Sequence, residues 1–284
     1  MNSILMAAAF IMLCIAGLSL SGCQKNPGIP PCSPVCQISE IKGNLENEGG
    51  YLDSLAIVYN NKNNPVSMTR NNVGNTWPNY FFLYDHKGRM TDFYGVYPNP
   101  LLENAFDTWH RFYYDSKNRV IIDTTYEFGI VGPGPKPIPR NNRPNLSVRN
   151  ISTYTYDNQN RIIKTTYTQD RDTVFMIKLF SYNHSGNLVK IEEQFLGTSN
   201  IITFGAYDNK INYHRTNSIW QFLDQDYSMN NLLPIAAYNS YNLPTLLLDS
   251  EPGDYRVLAG LGFRHAKIEY SCEIIKQGIP PLIK

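Results

Sequence analysis

The chain has 284 residues, with 25 Lys and Arg against 24 Asp and Glu, a formal charge of +1 and only 17% charged residues. That balance gives no field to hold nucleic-acid phosphates, so no nucleic-acid partner is expected, and the length suits one large domain or two small ones. With 31 Asn, 19 Gly, 18 Pro and 20 Tyr, the composition excludes a helical bundle and favours short strands separated by many turns.

Ile4 to Leu20 is an almost uninterrupted apolar run of 17 residues, at the lower limit for a bilayer span and placed where a secretory h-region belongs. It ends in Leu20-Ser21-Gly22-Cys23, which resembles the lipobox of bacterial lipoproteins. The resemblance implies cleavage before Cys23 and acylation of its thiol and new amino group. Acyl chains buried at roughly 0.8 kcal/mol per methylene would then hold the protein on a membrane without crossing it. Gln24, standing where an Asp would retain the protein, resembles lipoproteins forwarded to the outer membrane, with the periplasmic and cell-surface sides both open.

Three segments follow: a signal peptide over 1–22, a lipidated cysteine with a Pro-rich tether over 23–37, and a single β-rich domain over 38–284. Four prolines between Gln24 and Gln37 favour extended polyproline geometry. Cys32 and Cys36 lie in this tether and Cys272 near the far end of the chain. In an oxidising compartment Cys32 and Cys36 can close a small loop, or one of them can bond Cys272. Cys32 and Cys36 have no His at ligand spacing, so neither a metal nor another cofactor is expected.

The rest of the chain is organised by a repeat. Tyr84-Asp85-His86-Lys87-Gly88-Arg89-Met90 aligns without a gap with Tyr114-Asp115-Ser116-Lys117-Asn118-Arg119-Val120, with Tyr156-Asp157-Asn158-Gln159-Asn160-Arg161-Ile162 and with Tyr182-Asn183-His184-Ser185-Gly186-Asn187-Leu188. Weaker copies begin at Tyr59, Tyr207 and Tyr238, giving steps of 25, 30, 42, 26, 25 and 31 residues. Asp or Asn after the Tyr can accept from backbone N–H groups two residues on, and Gly88, Asn118, Asn160 and Gly186 tolerate positive φ. An aromatic residue two before each Tyr shares its strand face. A five-residue loop would set Met90, Val120, Ile162 and Leu188 opposite the Tyr, whereas a four-residue loop would put the Arg over that ring; the first is preferred.

These motifs resemble the YD, or RHS-type, repeats of bacterial surface proteins, and with the lipobox the chain is similar to Bacteroidota lipoproteins of unknown function built from them. The resemblance covers about residues 51 to 275. It implies an all-β fold, a curved antiparallel meander of hairpins forming an open sheet or partial barrel.

Two segments interrupt the pattern. Gly129 to Asn150, with five prolines and several basic residues, is expected to be a surface loop, and Leu101 to Phe112 and Ser228 to Leu233 are expected to hold short helical turns. No catalytic motif stands out: the His residues are scattered, and of the acid pairs that could serve a glycosidase, Glu192 with Glu193 and Asp224 with Asp226, the first would point to opposite faces of one strand. Trp77, Trp109 and Trp220 are the candidates for a ligand platform. Asp53-Ser54-Leu55, Asp123-Thr124-Thr125 and Asp172-Thr173-Val174 resemble the three-residue O-glycosylation motif of Bacteroidota. The expectation is a non-enzymatic binding or scaffold protein, its partner beyond the membrane a glycan or an envelope protein. The alternatives are an envelope glycan hydrolase or a subunit of a larger surface complex.

Overall fold

The computed structural model describes residues 35–45, 52–71, 78–97, 105–134, 137–139, 147–169, 173–248 and 263–273. Cys36–Cys272 forms one compact unit; of the second, residues 1–35 with 273–284, only Val35 and Glu273 are described.

The unit is a strand meander. Its strands are β1 (Val35–Leu45), β2 (Leu52–Tyr59), β3 (Pro65–Arg70), β4 (Asn79–Tyr84), β5 (Met90–Val96), β6 (Ala105–Tyr114), β7 (Val120–Val131) and β8 (Pro137–Pro139). They continue as β9 (Ser147–Tyr156), β10 (Ile162–Gln169), β11 (Thr173–Tyr182), β12 (Leu188–Phe195), β13 (Thr198–Thr203), β14 (Ile235–Tyr238), β15 (Pro244–Leu247) and β16 (Phe263–Glu273). Between β13 and β14 lie a 3-10 turn, Tyr213–Thr216, and one short helix, α1 (Ser218–Leu223). Sequential strands pair antiparallel in the order β13-β12-β11-β10-β9-β7-β6-β5-β4-β3-β2-β1-β16-β15-β14, with β8 paired to β7 off this path. The fold is therefore an all-β open sheet, as the resemblance to YD repeats implies.

Alternation shapes each face. On β2, Asp53, Leu55 and Ile57 are buried at period two, and the buried Asp53 carboxylate meets Arg70 of β3 in an ion pair with both side chains fully enclosed. A large cluster runs from Ile38 and Ile41 through Met68, Phe82, Met90, Phe112 and Val120 to Leu247 and Phe263, and it includes Ile219 and Trp220 of α1. A second, Ile162, Phe180, Leu188 and Ile191, reaches the same helix through Phe222. Phe82 of β4 meets Trp220, and Phe112 of β6 and Tyr154 of β9 meet Phe222, so strands from the middle of the order pack against this six-residue helix. The third cluster, Tyr94, Phe106 and Trp109, is separate from these two.

Four expectations are corrected. β1 starts at Val35, inside the segment assigned to the tether, and Cys36 is buried. Residues 105–112 are strand, because Phe106, Trp109 and Phe112 pack on the sheet. The loop over 129–150 is partly strand: β7 runs on to Val131, and β8 pairs with it through Gly129↔Pro139. Gly129 is required there, since a Cβ would lie 2.2 Å from the Phe106 ring. The helix falls at Ser218–Leu223, ahead of 228–233, because Asn217 caps it by accepting from the Ile219 N–H at 3.0 Å.

Candidate functional site

The repeated turns form a ladder along one end of the sheet. Tyr84 pairs with Met90, Tyr114 with Val120, Tyr156 with Ile162 and Tyr182 with Leu188, which gives the five-residue loop. Asp115 Oδ1 accepts from the Lys117 and Arg119 N–H groups at 2.8 and 2.9 Å, and Asp157 Oδ1 from Gln159 and Arg161, both at 2.9 Å. Asp85 accepts from the Arg89 N–H at 2.9 Å, and Asn183 from Ser185 and Asn187 at 3.0 Å. Gly88, Asn118, Asn160 and Gly186 sit at φ of 80°, 60°, 61° and 82°, as the turn needs.

Contacts between repeats carry the rest. Tyr114 O–H donates to the Met90 carbonyl at 2.6 Å, Tyr156 to Val120 at 2.7 Å and Tyr182 to Ile162 at 3.2 Å, while Tyr84 reaches Pro65. Each hydroxyl thus fastens its turn to the residue closing the turn before. Asp85, Asp115 and Asp157 hold their own Arg at Nε (2.7, 2.8 and 2.8 Å) and aim it onward. The Arg89, Arg119 and Arg161 guanidinium carbons lie 4.7, 4.8 and 4.3 Å from the ring centroids of Tyr114, Tyr156 and Tyr182. The Arg does cover a Tyr, but that of the next repeat. Burial raises the Tyr114 pKa to about 12 against the pull of Arg89, and the Arg119 backbone N–H, with its guanidinium, keeps Asp115 below its ordinary value. These turns are polar groups that satisfy one another.

Away from the turns, register builds a cleft of about 500 Å³ on the α1 side of the sheet. One cross-strand row runs Phe93, His110, Thr125, Asn150, Gln169 through β5, β6, β7, β9 and β10. The next runs Phe112, Asp123, Ser152, Tyr167. Phe222, Leu223 and Gln225 close the cleft from α1 and the residues after it, and Phe175 of β11 adds a ring. Pairs directly across an antiparallel ladder lie near 5 Å apart, so these side chains converge although up to 76 residues separate Phe93 from Gln169.

The polar centre of the cleft is His110 and Asp123. His110 Nδ1 lies 2.9 Å from Asp123 Oδ2 and 3.3 Å from Thr125 Oγ1, and Tyr154 O–H lies 3.5 Å from the same carboxylate oxygen. Burial alone would lower the His110 pKa, but the Asp123 charge and hydrogen bond outweigh it and the value is raised. Asp123 is only 5% exposed, and its Oδ1 is buried with no hydrogen-bond partner. Gln225, at φ 52°, accepts from Thr165 Oγ1 at 3.1 Å and donates to the Tyr167 hydroxyl at 3.3 Å. Sequence reasoning missed this group. The available signal was period two on each strand, His110 with Phe112, Asp123 with Thr125 and Ser152 with Tyr154.

The platform expectation is corrected for two tryptophans. Trp109 is fully buried, stacked 4.1 Å from Tyr94 with its Nε1–H on Asp92, and Trp220 is fully buried in the core against Phe82. Trp77 lies outside the described residues, as do Cys23 and Cys32. Cys36 and Cys272 form a disulfide across a sequence separation of 236. Thr124, in the second of the motifs that resemble a glycosylation site, is buried, and its neighbour Asp123 serves the cleft instead. Asp224 and Asp226 lie outside the large cleft and line a small cavity of about 30 Å³ beside the buried His214, whose Nε2 lies 2.5 Å from Asp224 and whose Nδ1 lies 3.5 Å from Asp226. Burial would lower the His214 pKa, but the two carboxylates raise it.

No protein-family model and no curated protein matches the chain. Among solved structures it is similar to a porin-like protein from Bacteroides uniformis, at 11% identity and a TM-score of 0.43, over 83% of this chain and 98% of that one. It is also similar to the Photorhabdus luminescens Tc holotoxin pore, at 14% identity and 0.30, and to TcdB2-TccC3-TEV, at 15% and 0.31. Each covers 76% of this chain, which spans 11% of the toxin chain's length. Among the described residues no helix is long and apolar enough to cross a membrane.

Proposed function

We propose that this chain is a lipid-anchored protein of the outer membrane, of the YD-repeat lipoprotein kind, that binds a small ligand in the cleft between the sheet and α1 without transforming it. The observation that carries the reading is the convergence there of aromatic faces with His110, Asp123, Asn150 and Gln169, in a volume within the ~300–1,000 Å³ typical of small-molecule sites. The turn ladder supports a scaffold role for the repeats, since their polar groups are taken up among themselves. A two-carboxylate glycosidase needs a second acid, and Asp123 is the one carboxylate among the described lining residues. Leu20-Ser21-Gly22-Cys23 supports the anchor.

Two experiments test the reading. A thermal-shift screen of small polar and aromatic fragments on the full chain in detergent micelles should find binders whose effect disappears in Phe175→Ala, a change in the cleft away from the ladder. Binders indifferent to Phe175→Ala would move the site elsewhere. For the anchor, Cys23→Ala should shift the protein out of the membrane fraction, and a substituted protein that stays there would count against lipidation.

A further inference from the structure

We infer that two copies of this chain join through the free edge of β13, which pairs antiparallel with itself about a two-fold axis so that one sheet runs through both copies.

β13 ends the strand order, and among the described residues no strand lies beyond it. Two observations fix which of its backbone groups are free. Leu196 and Gly197, at φ 42° and 87°, make a two-residue turn between β12 and β13, and the flanking residues Phe195 and Thr198 of such a turn exchange both hydrogen bonds. At the other end of the strand, the Phe204 N–H donates to the Val189 carbonyl at 3.0 Å. Bonded pairs alternate along an antiparallel ladder, so Thr198, Asn200, Ile202 and Phe204 turn their N–H and C=O groups to β12. Ser199, Ile201 and Thr203 turn theirs to the free side.

The two edges of the sheet are guarded differently. β14, at the opposite end, has four residues, follows Pro234, and shifts register against β15 on both sides of Ala237. A short strand, a proline and such irregularities blunt an edge. β13 has none of these protections, and no charged residue or proline occurs from Gln194 to Tyr207. All of its residues but Ile202 are exposed. Ile202 packs on the second cluster, so Ile201 lies on the other face, where it is 59% exposed.

A second β13 fits this edge. Centring the axis on Ile201 sets Ile201 opposite its own copy and Ser199 opposite Thr203, each pair exchanging two hydrogen bonds. Every outward-facing residue of the strand then meets an outward-facing residue. The two Ile201 side chains cover each other, and no charge is brought against its own copy.

The test is sedimentation equilibrium of the full chain in detergent micelles, at a solvent density matched to the detergent, read together with amide hydrogen exchange. The unsubstituted chain should be a dimer. Ile201→Lys sets two ammonium groups against each other at the axis and should weaken the dimer about tenfold or more. Val58→Lys, at an exposed position of β2, should leave it unchanged. Melting temperatures check that both variants fold. The Ser199, Ile201 and Thr203 amides should exchange slowly in the dimer and fast in Ile201→Lys, while the Phe204 amide stays protected in both. A chain that is monomeric, or a dimer in which those three amides exchange fast, overturns the inference. So does a dimer that Ile201→Lys leaves as strong as before, and slow exchange at the three amides in a monomer would mean that another part of the chain covers β13 and overturns it equally.

Discussion

The turn ladder and the cleft are built from the same strands, yet they treat charge in opposite ways. At the ladder, Asp157 accepts from two backbone N–H groups and one guanidinium, and that guanidinium lies over the next repeat's tyrosine. In the cleft, Asp123 has one oxygen engaged and the other idle. The difference separates what repeats from what does not. The Asp–Arg–Tyr contact made at three successive turns fixes the path of the chain, whereas the cleft brings together polar groups that no repeat dictates.

The strongest way to break this division is to remove what the two regions share. Trp220 anchors α1 in the large core, and Phe222 of the same helix lines the cleft. Trp220→Ala should cost about 3–5 kcal/mol in denaturant unfolding and weaken ligand binding with it; a stable variant would mean that α1 does not organise the sheet. The next effect confines itself to the ladder. Asp157→Ala removes three hydrogen bonds at one turn and should lower stability by about 2 kcal/mol, leaving binding in the cleft intact. Asn at that position should recover part of the loss, because Asn183 performs the same capping. Tyr114→Phe, which deletes only the hydroxyl on the Met90 carbonyl, should cost about 1 kcal/mol by the same measurement.

The smallest effect is a dependence on pH. Folding raises the His214 pKa through Asp224 and Asp226, so the folded state holds a proton that the unfolded chain releases near pH 6.5. The stabilisation is full below that value and is lost as pH rises through the higher folded value. Melting temperature should therefore decline from pH 6 upward, less steeply in His214→Gln. A residual slope should persist, since His110 is shifted in the same direction. An identical profile in the variant would remove His214 from the account.

The ladder was legible in the sequence because each turn is closed within seven residues, Tyr to aliphatic, and its Asp, Gly or Asn act on their own backbone. The cleft was not, and the reason is a single displaced residue per hairpin. Tyr114 pairs with Val120, but one position further the register shifts, so that Tyr113 meets Ile122 and His110 meets Thr125. Counting back from the turn without that bulge would put His110 opposite Thr124, a slip that misassigns which residues share a face. The same shift recurs between Leu83 and Tyr84 and between Ser181 and Tyr182. The tryptophans misled for another reason: a sheet packed on both faces has room inside for its largest rings, and Trp109 and Trp220 fill it.

The central claim is that ladder carboxylates hold the fold and the cleft side chains hold a ligand. Asp157→Asn and Gln169→Ala, compared side by side for unfolding free energy and for affinity toward a cleft-binding probe, test it directly. The account predicts that the first loses stability and keeps affinity, and that the second keeps stability within about 1 kcal/mol and loses affinity. The reverse assignment, or equal losses of both properties in both variants, would contradict it.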